Sequence, residues 1–128
     1  MKKYLLLDNK MRRLITSLRI STHNLPIEFL RKLNVERSKR ICNCCNINAL
    51  GTEKHVLFEC LNNDLTHQRN LLYSKLSQIC SQWENLNTED KFLYLINAHD
   101  NTFNFYFAIF LEKAFRIVKM HYSIITSN

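Results

Sequence analysis

The spacing of apolar residues in the first third of the chain predicts two helices. The face of the first helix follows the i, i+3, i+4, i+7 pattern and consists of Met11, Leu14, Ile15 and Leu18. Asp8 precedes this pattern and suits an N-cap position, whereas the polar run 21–24 should end the helix. Pro26 is then suited to the first position of a short second helix, because proline there lacks only an N–H that would be unsatisfied anyway.

Two further helices are predicted between residues 61 and 101. Asp64 is expected to cap a long helix whose core stripe is Leu65, Leu72, Leu76, Ile79 and Trp83. His67 and Arg69 are expected off that stripe and in solvent, where either could touch a phosphate. The polar run 87–90 is a helix-start signal with acidic residues suited to the positive end of the dipole. That helix should end at residues 99–102.

The last predicted helix, residues 102–123, is apolar around most of its circumference. Its apolar residues include Phe103, Tyr106, Phe107, Phe110, Leu111, Ala114, Phe115, Val118 and Tyr122. Such a pattern is too wide for one surface stripe. We favour a central core helix, and the alternative is that one face docks on a partner, as an exposed apolar patch would.

Composition supports a mainly α fold. The chain has 128 residues, with 46% hydrophobic and 23% charged residues, which is ordinary for a small globular domain. One Gly and one Pro leave little material for hairpin turns, so little or no sheet is expected. The expected organisation is a single domain, 1–128, with a basic helical lead-in at 1–40, a metal-binding segment at 41–60 and a helical bundle at 61–128.

No targeting or membrane segment is apparent in the sequence. The apolar run 4–7 is shorter than the core of a signal peptide, and the longest apolar run, 105–111, is too short to cross a bilayer. Five cysteines without a signal peptide favour metal ligation in a reducing compartment over disulfides. We therefore expect an intracellular protein of the nucleus or cytoplasm that is neither secreted nor bound to a membrane.

Four residues between 42 and 60 have the spacing of a zinc site. They form the pattern Cys-x2-Cys-x9-His-x4-Cys and are Cys42, Cys45, His55 and Cys60. Three thiolates and one imidazole would close a tetrahedral shell around one structural Zn²⁺ and leave no position for a reactive water. The alternative is that these cysteines are small buried hydrophobic residues.

The local sequence agrees with such a zinc knuckle. Gly51 allows a turn and Thr52 can cap a short helix with His55 in its first turn. On an ideal helix His55 and Cys60 would point about 140° apart, so the helix should loosen and end near Cys60. The remaining candidates are not expected to be ligands: Cys44 crowds the knuckle, Cys80 is expected in the core, and His23 should be a polar core or surface residue.

Positive charge is concentrated before the zinc pattern. Residues 1–40 hold 11 Lys and Arg against 3 Asp and Glu, a net charge of +8, whereas the remaining residues hold 7 against 8, a net charge of −1. A one-sided positive field attracts polyanions, so RNA or DNA is the expected partner, and few aromatic residues accompany the charges, so contacts should be mainly to phosphates. The alternative is a solvated basic face that binds nothing in particular. The candidate contacts are Arg12, Arg13, Arg19, Arg37, Lys39 and Arg40.

An enzyme is not expected. The aspartates stand singly at predicted helix ends, and carboxylates that hold two metal ions for phosphoryl transfer would be clustered. A thiol of Cys44 paired with a histidine is a conceivable nucleophile, but a spare thiol beside a metal site is the simpler interpretation. No catalytic residue and no small-molecule substrate are assigned.

Three stretches resemble the C-terminal region of non-LTR retrotransposon reverse transcriptase polyproteins of the invertebrate type. They are 19–23, Arg-Ile-Ser-x-His; 25–28, Leu-Pro-Ile-Glu; and 36–42, Glu-Arg-Ser-Lys-Arg-Ile-Cys. The resemblance covers residues from about 11 to 75 well and the rest weakly, and it implies that Cys42, Cys45, His55 and Cys60 are zinc ligands. The chain lacks the polymerase and endonuclease domains that precede this tail in such polyproteins.

Two functions follow from these expectations. The first is a zinc-stabilised accessory domain that binds nucleic acid and is not itself catalytic. The second is a zinc-stabilised docking module that packs through residues 102–123 on a reverse transcriptase body or on a second copy of itself.

Overall fold

The computed structural model describes residues 8–126, with side chains up to residue 122. Lys2, Lys3 and the apolar run 4–7 lie outside the described residues. Five α-helices are present in this range: α1 (Asn9–Arg19), α2 (Pro26–Lys32), α3 (Asn63–Ile79), α4 (Thr88–Asn97) and α5 (Asn101–Thr126). Short 3₁₀ turns lie at Arg37–Lys39 and Trp83–Asn85, and a π turn lies at His55–Glu59. The predicted mainly α fold is confirmed, because within residues 8–126 the only β pairing is an isolated bridge between Ile41 and Leu50.

Polar side chains cap α1, α3 and α4, whereas α2 has no side-chain cap; the cap of α1 is the predicted one, and that of α4 lies in the predicted start signal. Asp8 accepts a hydrogen bond from the Met11 N–H at 2.8 Å, and Asn87 accepts one from the Asp90 N–H at 2.8 Å. The prediction for α3 was wrong by two residues: its cap is Asn62, which accepts from the N–H groups of Asp64 and Leu65 at 2.9 and 3.0 Å. Asp64 instead lies in the first turn, where its charge complements the positive end of the helix dipole.

Helices α1 and α2 end without glycine. Ser21 and Asn34 adopt left-handed φ angles of 61° and 62° immediately after the C-caps. The following N–H groups then reach back to helix carbonyls, from Thr22 to Ser17 and from Val35 to Leu30, both at 2.9 Å. This is the Schellman arrangement, in which serine and asparagine take the position that glycine usually occupies.

Helix α5 is the central core helix, as favoured from the sequence. Helices α1, α3 and α4 all pack against it, and its buried side chains are Phe103, Asn104, Phe107, Ala108, Phe110, Leu111, Ala114 and Val118. Helix α1 runs antiparallel to α5, because Lys10 pairs with Glu112 at 2.8 Å whereas Arg19 lies beside Asn104. Although α5 has 26 residues, neither it nor any other described helix has the length and apolar character needed to cross a membrane.

The core stripe of α3 agrees with the prediction only in part. Leu65, Leu72 and Leu76 are buried, but Ile79 is 42% exposed at the end of the helix. Trp83 is fully buried, yet it lies on the separate 3₁₀ turn that follows α3, with its ring centroid 5.4 Å from that of Tyr73. The stripe therefore ends before Ile79, because the chain leaves the helix at Cys80 and turns back to bury the indole.

Arg19 is exposed, and its guanidinium makes a contact with the end of α4 that the sequence did not indicate. Its guanidinium donates to the carbonyls of Ile96 and Ala98 at 2.6 and 2.8 Å, and to Asn104 Oδ1 at 3.4 Å. The last carbonyls of an α-helix have no partner within the helix, and a cation there also complements the helix dipole. Arg19 therefore caps the C-terminal end of α4, and its role as a phosphate contact stays a prediction.

Replacing Arg19 with alanine should lower the free energy of unfolding by about 1–3 kcal/mol, because the α4 carbonyls lose charged hydrogen-bond donors. Urea denaturation at pH 7 would measure the change. Arg13→Ala is the matched control, since Arg13 is exposed on the same helix, and its effect should stay within about 0.5 kcal/mol. Equal effects of the two substitutions would contradict the capping role.

Candidate metal centre

Cys42 and Cys45 lie on a short loop that closes on itself. The loop is pinned by hydrogen bonds from the Cys42 N–H to the Ala49 carbonyl and from the Gly51 N–H to the Arg40 carbonyl, both 2.8 Å long. Asn48 provides the tight turn with a φ angle of 58°. These hydrogen bonds hold the two thiols close together, and the segment 40–51 is called the cysteine loop below.

Gly51 is needed for a close approach and not for a turn with positive φ. A Cβ atom at this position would lie only 2.3 Å from the Cβ of Pro26. The Gly51 carbonyl also accepts a hydrogen bond from the Ile27 N–H at 3.0 Å. The only glycine and the only proline of the chain therefore fasten the start of α2 to the cysteine loop.

His55 and Cys60 lie at the two ends of the π turn. The Thr52 hydroxyl accepts a hydrogen bond from the His55 N–H at 3.1 Å, as predicted for a cap. The Cys60 N–H then bonds to the His55 carbonyl at 2.6 Å, an i to i+5 bond that is wider than that of an α-helix. The predicted loosening before Cys60 is this π turn, and it carries the two side chains to one side.

The structure brings the four predicted residues into one cluster. Their ligand atoms all lie within 4.8 Å of one another. The sulfurs of Cys42 and Cys60 are 3.7 Å apart, and Cys45 Sγ is 3.4 Å from His55 Nε2. Cys42, His55 and Cys60 are buried and Cys45 is partly so. The arrangement is compatible with a zinc knuckle and consistent with a metal site.

Cys44 lies outside the cluster, as predicted. Its thiol points to Asn43 Oδ1 at 3.4 Å, whereas its backbone N–H lies 3.5 Å from Cys42 Sγ. Cys80 is partly buried and packs against the core, also as predicted. Neither spare thiol belongs to the four-residue cluster, although Cys44 lies next to Cys42.

The surroundings of the cluster favour neutral side chains in the absence of a cation. The hydrogen bond with Cys44 raises the pKa of Cys42 to about 12, with burial adding to the rise and the contact with Cys60 opposing it. The contact with Cys42, together with burial, raises the pKa of Cys60 far above that of an ordinary thiol. Burial lowers the pKa of His55, which keeps its imidazole neutral and able to bind a metal ion at pH 7.

Arg69 is the residue of this site that the sequence prediction placed wrongly. It was expected in solvent, but it is only 7% exposed and its guanidinium reaches the end of the π turn. It donates to the carbonyls of Leu57 and Cys60, both at 2.9 Å, and of Val56 at 3.4 Å. Position 69 shares one helix face with the buried positions 65, 72 and 76, and this spacing could have indicated that Arg69 is buried. His67 is exposed, as predicted.

Asn62 links the cysteine loop to α3 and α5. While its Oδ1 caps α3, its Nδ2 donates to the Cys44 carbonyl at 3.1 Å and to His121 Nε2 at 3.2 Å. One amide therefore fixes the loop, the start of one helix and the end of another. This role could not be anticipated, because the pattern around residue 62 resembles an ordinary connecting segment.

His23 is a buried structural residue next to the site. Its Nδ1 accepts a hydrogen bond from the Leu25 N–H at 3.1 Å, which leaves Nε2 to donate to Glu53 at 2.8 Å. Burial is the largest single effect and would raise the pKa of Glu53, but the hydrogen bond from His23, a backbone hydrogen bond and the charges of His23 and Arg37 together lower it. The expectation that His23 is a polar core residue and not a ligand agrees with this geometry.

The other basic candidates lie on two exposed segments. Arg12 and Arg13 are exposed on α1, and Arg37 and Lys39 are exposed on the 3₁₀ turn that leads into the cysteine loop. Arg40 is partly buried and its Nε donates to the Val35 carbonyl at 2.9 Å.

The fold and the site together define a small helical protein with a Cys3His cluster. Comparison with protein-family models, with curated proteins and with solved structures gives no match for this chain.

The cluster predicts which cysteine substitutions abolish metal binding. Cys45→Ser and His55→Ala should each lose the one equivalent of Zn²⁺ that native mass spectrometry would detect in the unmodified chain, since each removes a ligand from a four-ligand shell. Cys44→Ser is the matched control and should retain it. Loss of the metal ion in Cys44→Ser alone would show that the shell is built from different thiols.

Metal binding should release about three protons at pH 7, one from each thiol and none from the neutral His55. Protons compete with the metal ion for the thiolates, so affinity should fall as pH falls, by up to about a thousandfold per pH unit for three displaced protons. Calorimetric titration with Zn²⁺ in buffers of different ionisation enthalpy would count the protons. Release of one proton or none would contradict a three-thiolate shell.

Proposed function

We propose that the cluster binds one structural Zn²⁺. With the usual Zn–S and Zn–N bond lengths, a tetrahedral shell has edges of about 3.8 Å between two sulfurs and about 3.6 Å between sulfur and nitrogen. The sulfurs of Cys42 and Cys60 are 3.7 Å apart, and Cys45 Sγ lies 3.4 Å from His55 Nε2. A sulfur-rich set also disfavours Mg²⁺ and Ca²⁺, which prefer oxygen ligands.

The proposed zinc ion has a structural role because protein atoms fill all four positions of its shell. When bound, it would supply a fixed cross-link between the cysteine loop and the π turn, and no open position for a substrate. Cys42, Cys45 and Cys60 would each bind through Sγ, and His55 would bind through Nε2. His55 Nδ1 faces Glu59, at 3.8 Å from its carboxylate, so the second nitrogen of the ring is turned away from the cluster.

The function that we propose for the whole domain is nucleic-acid binding without catalysis. The observation that carries this proposal is the segregation of charge, +8 over residues 1–40 and −1 over the rest. The proposed contacts are phosphates, held by Arg12 and Arg13 on α1 and by Arg37, Lys39 and Arg40 beside the cysteine loop. A zinc cross-link at the loop would hold the second of these segments in place, which phosphate contacts need for positioning.

A relationship to the C-terminal tail of non-LTR retrotransposon reverse transcriptases remains part of this proposal. The residues that carry the resemblance have structural roles here: Arg19 caps α4, His23 is buried against Glu53, and Glu28 is buried and pairs with Arg31 at 2.7 Å. A motif that stabilises the fold would be kept wherever the fold is used. The resemblance therefore supports a common fold more directly than a common ligand.

A second candidate function is docking on another protein. It is favoured by a groove of about 390 Å³ between α3 and α5, on whose walls Leu71 is 51% exposed and Ile109 is 39% exposed. The partner would be a reverse transcriptase body or a second copy of the chain. Neither candidate requires catalysis by this domain.

Binding to single-stranded RNA or to duplex DNA should weaken steeply with salt, because each neutralised phosphate releases counterions. Combined substitution of Arg12, Arg13, Lys39 and Arg40 by alanine should reduce affinity at 50 mM salt by about 10²-fold or more and flatten the salt dependence. Fluorescence anisotropy with labelled oligonucleotides would measure both.

The control for this experiment replaces with alanine four basic residues that lie outside the basic segment, residues 1–40: Lys75, Lys113, Arg116 and Lys119. Removing these four charges should have a much smaller effect on affinity. A salt-independent affinity, or equal losses in the two variants, would contradict the proposal. Docking on a protein partner would survive substitution of the basic segment, which separates the two candidate functions.

A further inference from the structure

Arg69 is a buried cation whose described contacts include no carboxylate. Its side chain lies inside the protein, and none of the ion pairs among residues 8–122 involves it. All of its hydrogen bonds go to the backbone carbonyls of Val56, Leu57 and Cys60. A charge removed from water in this way is costly unless an opposite charge lies nearby.

The carbonyls that Arg69 binds are those that the π turn leaves without helix partners. In an α-helix the Val56 carbonyl would accept from the N–H of residue 60, but the Cys60 N–H bonds to His55 instead. The chain also leaves the helix at Cys60, whose φ and ψ angles of −60° and 133° are extended. The guanidinium therefore compensates the backbone at the point where the turn departs from α geometry.

The exposed carboxylate of Glu59 is one negative charge that acts on Arg69, and the metal centre would supply a second, buried one. A divalent ion with three thiolates and one neutral imidazole has a net charge of −1. Cys60 supplies one of those thiolates, and its own carbonyl lies 2.9 Å from the guanidinium. The buried guanidinium thus lies beside the residue that would supply one of the three thiolates.

We propose that Arg69 is a positioning residue of the metal centre that also serves as its buried counter-charge. This inference rests on the proposed zinc site. Arg69 holds the end of the π turn so that Cys60 faces Cys42, and its charge stabilises the three-thiolate shell when the ion is bound. Arginine suits both roles, because its planar fork presents several donors to several carbonyls, whereas lysine offers a single point charge.

The experiment compares zinc affinities by competition with a chromophoric chelator. Arg69→Met removes the charge and the donors, Arg69→Lys keeps the charge but replaces the planar fork of donors with a compact ammonium on a shorter reach, and Arg116→Met is the control for loss of an exposed arginine. Arg69→Met should weaken zinc binding by about 10- to 100-fold, as expected for a residue that supports metal ligands. Arg69→Lys should fall between Arg69→Met and the unmodified chain, and Arg116→Met should change affinity by less than about twofold.

A second background separates charge balance from simple packing. In Cys45→His the shell has two thiolates and two imidazoles, so the bound centre is neutral, and the backbone contacts of Arg69 are unaffected by this choice of residue. The loss of zinc affinity caused by Arg69→Met should then be at least about threefold smaller than the loss it causes in the natural shell. Visible spectra of the Co²⁺-substituted proteins report whether each shell remains tetrahedral.

The outcomes distinguish this inference from the zinc proposal. A chain that binds neither Zn²⁺ nor Co²⁺ overturns both. If the unmodified chain binds the metal ion and Arg69→Met binds it as tightly as Arg116→Met does, the role of Arg69 is overturned and the zinc proposal stands. If Arg69→Met lowers zinc affinity equally in the two shells, the counter-charge role is overturned. If Arg69→Lys binds zinc as tightly as the unmodified chain, the positioning role is overturned. If Arg69→Met does not fold even with excess zinc, Arg69→Gln replaces it, since glutamine removes the charge and keeps a donor.

Discussion

The i to i+5 hydrogen bond from the Cys60 N–H to the His55 carbonyl is the interaction on which the site depends. An α-helix would place these two side chains about 140° apart, too far around the axis to face one ion. The wider π turn brings them to the same side, opposite the two cysteines of the loop. A four-residue gap between His55 and Cys60 therefore becomes usable only because the backbone departs from regular geometry, as π turns often do at functional sites.

This departure from α geometry ties distant parts of the chain to the cluster. The carbonyls that lose their helix partners are taken by Arg69 from α3, and the cysteine loop is held by Asn62, which also contacts His121 of α5. On the opposite side Gly51 packs against Pro26 at the start of α2. Most helices are thus connected to the site through a single side chain or a close backbone approach, and displacing the π turn would disturb several of them.

The sequence predicts what depends on local spacing and fails where a long side chain reaches across the fold. Apolar periodicity and short polar caps identify α1, α2, α4 and α5, and ligand spacing identifies the four residues of the cluster. The same methods miss the capping contact of Arg19 and misplace Arg69. Their guanidinium groups bind backbone carbonyls 77 to 79 and 9 to 13 residues away, respectively. Which carbonyls lack a partner is decided by helix ends and by the π turn, and neither is encoded in residue type alone.

Two arginines that bind backbone carbonyls, the exposed Arg19 and the buried Arg69, also change how the net charge should be understood. A count of basic residues treats every guanidinium as surface charge, yet Arg19 is occupied by the end of α4 and Arg69 by the end of the π turn. Positive charge available to a polyanion is therefore smaller than the sequence total, and the exposed candidate contacts among it lie on α1 and on the turn before the cysteine loop. These two segments are separated along the chain by α2, which Gly51 fastens to the loop through Pro26. Their relative position, and so their ability to act as one basic surface, consequently depends on the same loop that holds Cys42 and Cys45.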